Sequence, residues 1–105
     1  MTATRTASTR HHIDAEWSEH RVASDRILLA ARGLLSALQD YPAPLYADER
    51  KTLDGARVAF AEHLGGLLGD FFGDAHGAVC RRADEAGFEL PALDTSDFDS
   101  AVERL

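Results

Sequence analysis

Four side chains have types that could hold a ligand between them: His20, His63, Asp70 and His76. Imidazole and carboxylate suit zinc and other divalent metals when three or four converge on one point. Local spacing does not bring that about. Di-metal helical bundles use Glu-x-x-His pairs three residues apart on one face, and the chain contains no such pair and no His-Glu-x-x-His. Glu19–His20 and Glu62–His63 are neighbours in sequence, so on a helix they point about 100° apart. Any site must be assembled by the tertiary fold. The cofactor reading is therefore a divalent metal, or haem on His63 beside Gly66. The simpler expectation is no cofactor, with His20 buried and hydrogen-bonded to Asp70. His11 and His12 fall in the N-terminal arm.

Signatures of covalent or phosphate chemistry are missing. There is no Gly-x-Ser-x-Gly, no Walker-type loop and no Gly-x-Gly-x-x-Gly. Cys80 is the one cysteine, which excludes an internal disulfide and reads as a small buried hydrophobe.

The stretch "GGLLGDFFGDAHG" places Gly65, Gly66, Gly69, Gly73 and Gly77 among Leu67, Leu68, Phe71 and Phe72. Gly65, Gly69, Gly73 and Gly77 recur every four residues, which on a helix makes one stripe without side chains. Five glycines in a helix cost about 3–5 kcal/mol relative to alanine. Three things could offset that: close approach of another backbone, a hole for a bulky side chain, or a flat ligand. A turn centred near Pro44 sets Trp17 near Phe72, His20 near Gly69 and Asp70, and Ser24 near Gly65. That register favours the stripe as a close-packing surface seating Trp17.

The elements that carry these residues are helical. Ile13, Trp17, His20, Ser24, Ile27, Ala31, Leu34, Leu38 and Tyr41 alternate spacings of four and three, the seam of an amphipathic helix from about 14 to 40. "YPAPLYA" stops it, because Pro42 and Pro44 cannot continue a helix. A second helix follows from about 48 to 86, with Asp48 as its N-cap and Gly87 as its C-cap glycine. It is either one helix or broken near 65–66 or 73. Its apolar sector is wide enough to pack on two sides. A short amphipathic helix from about 97 to 105 carries Phe98, Val102 and Leu105, with Ser96 and Asp99 as an acidic capping box. The expected fold is all-α: a long antiparallel hairpin plus the short C-terminal helix, completed as a dimeric bundle. Residues 1–12 form a disordered arm, 13–87 the helical core, and 88–105 a linker with the last helix.

Charge narrows the partners. The 105-residue chain has a formal charge of −7, or −9 without residues 1–12, which hold Arg5 and Arg10 and no acid. An acidic body repels phosphate backbones, so nucleic acid is disfavoured. No apolar run approaches the length of a membrane span, and the N-terminus has no apolar signal region. Cytoplasmic residence is expected from the single cysteine. The functional expectation is a small, acidic, non-enzymatic adaptor or accessory protein. It would act as a homodimer and bind a larger protein through Phe98, Val102, Leu105, Leu68, Phe72 and Val79. The cofactor bundle is the alternative. A DNA-associated regulator using the Arg5–Arg10 arm is the third reading, and it lacks a basic recognition helix.

Overall fold

The computed structural model describes residues 2–105, with side chains from Thr9 onward. Three helices, α1 (Thr2–Gln39), α2 (Ala47–Ala86) and α3 (Ser96–Glu103), make up the architecture. The described residues contain no strand. The molecule is a rod of 73 × 17 × 16 Å. α1 and α2 run antiparallel along each other, and α3 packs against both.

α1 begins well before the expected residue 14. Residues 9–12 are helical and exposed rather than part of a disordered arm, and the side chains of residues 1–8 lie outside the described residues. Two contacts support the extension. Arg10 lies 3.9 Å from Asp14, one turn on, and its guanidinium sits 4.7 Å from the centre of the Phe88 ring.

α2 is unbroken. Gly87, with φ 85°, is the one residue with positive φ among those described, so the glycines between 65 and 77 keep helical geometry. Gly87 ends the helix as expected, its amide bonding to Asp84 and the Phe88 amide to Ala83. The start differs from expectation. Tyr46 is extended and occupies the N-cap, while Asp48 and Glu49 lie inside the first turn. There they face the positive end of the helix dipole instead of capping it.

The register is displaced by about two to three helical turns. Ser24 meets His76, not Gly65; Glu16 meets Arg82; Trp17 packs with Val79 and Ala83. The turn explains the slide. Arg57 donates from Nε to the Leu38 carbonyl at 2.6 Å and from Nη2 to the Tyr41 carbonyl at 2.7 Å. Both carbonyls lie at the C-terminal end of α1, where intrahelical donors run out; that of Leu38 also accepts from the Tyr41 amide at 3.3 Å. Anchoring Arg57 there sets the end of α1 level with the second and third turns of α2. The first turns of α2 therefore run past it, and Leu45 and Tyr46 stand 82% and 65% exposed.

α3 also starts one residue early. Thr95 holds the N-cap position, and its hydroxyl donates to Asp99 Oδ2 at 3.0 Å. Asp94 replaces the expected Ser96–Asp99 box: its Oδ1 accepts from the Ser96 hydroxyl at 2.7 Å and the Ser96 amide at 3.0 Å. Those two bonds hold the Asp94 carboxyl below its ordinary pKa. Arg32 of α1 reaches Asp97 Oδ2 at 3.0 Å.

The apolar interior is in two pieces. Near the loop, Leu28, Ala31, Leu35 and Ala61 pack with Phe98 and Ala101 of α3. Near the termini, Ile13 and Trp17 pack with Val79 and Ala83. Phe88 and Leu90 from the extended segment after α2 cover this second cluster.

Candidate functional site

Between the two clusters lies a polar layer built from one residue of each long helix. Ser24 occupies a seam position of α1, and His76 faces it from α2. Ser24 Oγ and His76 Nε2 are 2.9 Å apart, and both residues are buried, at 3% and 8% exposure. The hydroxyl donates when Nε2 carries no proton. His76 is enclosed by rings. Trp17 stands edge-on with centroids 4.8 Å apart, His20 edge-on at 5.3 Å, and Phe72 nearly parallel at 5.6 Å. Burial, and then the neighbouring His20, push the His76 pKa below its ordinary value. The imidazole is therefore neutral at pH 7, which suits a site without a counter-charge.

His20 is half-buried and connects to the surface. Its Nε2 lies 3.8 Å from Glu16, and Glu16 accepts from Arg82 Nη2 at 2.6 Å. The Arg82 hydrogen bond lowers the Glu16 pKa, and the carboxylate in turn raises that of Arg82.

Beside His76 a cleft of about 620 Å³ opens between α2 and the segment after it. Trp17, Phe72, His76 and Cys80 line its inner side. Gly73 and Gly77 form the floor along α2, and Glu89, Leu90 and Pro91 form the facing wall. Trp17 fixes that wall by donating from Nε1 to the Pro91 carbonyl at 3.0 Å. An extended backbone needs such partners, since it supplies none for itself.

The expected site residues separate into three groups. His20 and His76 are brought together, while His63 and Asp70 are exposed elsewhere on α2. No group of three or more His, Cys, Asp or Glu among the described residues could hold a metal ion. Phe98 is buried at 7% and Val79 at 1%. Leu68, Phe72, Val102 and Leu105 pack against the loop-side cluster. The six residues assigned to partner binding thus lie in or against the chain's own interior, because α3 folds back onto the hairpin. Of the glycine stripe, Gly65 comes near another element: a Cβ there would meet Phe98 Cε1 at 3.9 Å. At Gly69, Gly73 and Gly77 a Cβ would meet nothing within 4 Å. Within the chain the stripe therefore does not seat Trp17, which the shifted register places further along α2.

Two parts of this region were not anticipated. The Ser24–His76 bond had one available signal: a serine in an otherwise apolar seam requires a buried partner. The Trp17–Pro91 strap had none, because its donor and acceptor lie far apart in sequence with no periodicity linking them. On the opposite account, Phe60, Leu67 and Phe71 of α2 are not covered, standing 45%, 54% and 54% exposed. No helix among the described residues is long and apolar enough to cross a membrane.

Comparison with known proteins finds no matching family model, no similar curated protein and no similar solved structure.

Proposed function

We propose that this chain is a small, acidic, non-enzymatic adaptor that works in the cytoplasm by protein–protein interaction, first as a homodimer. One observation carries the reading. Phe60, Leu67 and Phe71 are about half exposed, and their spacings of seven and four put them on one stripe of α2. Large apolar side chains aligned in this way mark an association surface more often than isolated ones do. The stripe is distinct from the residues first assigned to binding, which pack within the chain. The rod shape adds support, since a long, thin hairpin buries little of its own surface and gains most by pairing. A larger partner with a basic, apolar face would use the same stripe and be drawn by the net charge of −7.

Native mass spectrometry of the full chain tests this. The wild type should appear as a dimer at micromolar concentration, and Leu67→Glu with Phe71→Glu should appear as a monomer with unchanged helical circular dichroism. A monomeric wild type, or a dimer indifferent to both substitutions, would overturn the assignment of this stripe.

A further inference from the structure

We propose that the cleft between α2 and residues 89–95 is a binding site for a small molecule with a flat aromatic body and a positive charge. Its volume of about 620 Å³ lies within the range of small-molecule pockets. Shape comes first. The floor at Gly73 and Gly77 lacks side chains, and the space where a Cβ would stand is empty to 4 Å. A planar ring can therefore lie close against the helix backbone. The walls suit such a ring. Trp17 and Phe72 both line the cleft, and aromatic faces attract rings in offset or edge-on geometry and attract cations over their faces.

Charge then selects the sign of the ligand. Asp84 and Glu89 line the same cleft. Neither is among the ion pairs of the described residues, whose acidic members are Asp14, Glu16, Asp54 and Asp97. The one histidine on the cleft wall is held neutral by burial, so it adds no opposing charge near neutral pH. Arg82 of α2 is engaged by Glu16. A cationic ring would thus meet two carboxylates with no competing arginine already paired to them. This cleft lies on the glycine flank of α2 and does not use Phe60, Leu67 or Phe71, so it stands or falls separately from the dimer.

The chain contains a single tryptophan, and Trp17 lines the cleft, so its emission reports occupancy. The probes are proflavine, a flat aromatic cation, and naphthalene-2-sulfonate, an aromatic anion with a flat ring system. Each is titrated into the full chain, with Trp17 quenching and isothermal calorimetry as readouts. Proflavine should bind saturably, one per chain, about tenfold more tightly than the anion. Gly73→Leu, whose side chain enters empty space at the cleft floor, should weaken proflavine by about tenfold or more without lowering the thermal midpoint, since replacing glycine inside a helix is itself stabilising. Asp84→Asn combined with Glu89→Gln should remove the preference for the cation. Three results would each overturn the proposal: no saturable binding, equal affinity for cation and anion, or wild-type proflavine affinity in a folded Gly73→Leu chain.

Discussion

The loop-side and terminal halves of the hairpin share the same two helices but are closed by different covers. Near the loop, helix α3 lays Phe98 and Ala101 across Leu28, Leu35 and Ala61. Near the termini, an extended strap places Phe88 and Leu90 against Ile13, Trp17 and Val79. A helix satisfies its own backbone and can press a full apolar face onto the hairpin. An extended strap must find partners for its backbone, and the Trp17–Pro91 bond is one of them. It also covers less width, and the cleft beside His76 is what remains open. The choice of cover therefore decides where the molecule is sealed and where it can receive something.

The largest expected effect separates the two covers directly. Phe98→Ala should lose about 3–5 kcal/mol of stability, because an aromatic ring is removed from a closed cluster. Leu90→Ala should lose about 1–2 kcal/mol, since Leu90 is only half-buried and its site opens onto the cleft. Urea unfolding at one fixed protein concentration compares them. Equal losses would mean that the strap seals its half as firmly as α3 does.

Mild acid, between pH 7.5 and 4.5, should act chiefly on the terminal half, since the lowered Asp94 carboxyl at the start of α3 gives up its contribution only at lower pH. His76 sits in the layer bordering the terminal cluster, and its folded pKa lies below the ordinary 6.5. The unfolded chain therefore binds this proton more readily than the folded one. The His76 contribution is complete above about pH 6.5, falls as pH drops from there toward the depressed folded value, and is constant below it. Urea midpoints between pH 7.5 and 4.5, followed by Trp17 emission, should show this decline, and His76→Gln should flatten it. The Trp17 ring, 4.8 Å from His76, makes the emission local to this half. A slope unchanged in His76→Gln would assign the acid response to another group.

Much of the hairpin could be read from residue periodicity and local stop signals. The seam positions Ile13, Trp17, Ser24 and Ala31 are buried, although Leu34 stands 42% exposed and Leu35 takes its place in the core; the Pro42–Pro44 stop and, at the far end of α2, the Gly87 cap depend on local rules. Each is set by residues a few positions apart. The register was not legible in this way, because it depends on Arg57 reaching the carbonyls of Leu38 and Tyr41. Nothing in an arginine's neighbours announces a long-range cap. That one contact moved Ser24 from Gly65 to His76 and so changed which residues could form a site. The glycine stripe was legible as a pattern but not as a role. Spacing places Gly69, Gly73 and Gly77 on one flank of α2, and only the tertiary arrangement tells whether that flank is covered.

The glycines supply the smallest and sharpest comparison. Gly65 lies in the covered half, where an added Cβ would rest at 3.9 Å from Phe98, an ordinary van der Waals contact. Gly69 lies further along, where an added Cβ would meet nothing within 4 Å. Replacing glycine by alanine inside a helix gains about 0.5–1 kcal/mol from backbone entropy and propensity. Gly69→Ala should therefore raise the thermal midpoint by about 2–8 °C, given the usual slope for a domain of this size. Gly65→Ala should do slightly better, since it adds contact with Phe98 to the same helical gain. Differential scanning calorimetry at two protein concentrations separates this from association. If Gly69→Ala instead lowers the midpoint, and does so more at the higher concentration, a second chain lies against the glycine flank. That flank would then be an interface rather than an open floor, and the uncovered part of the terminal half would have its cover supplied from outside the chain.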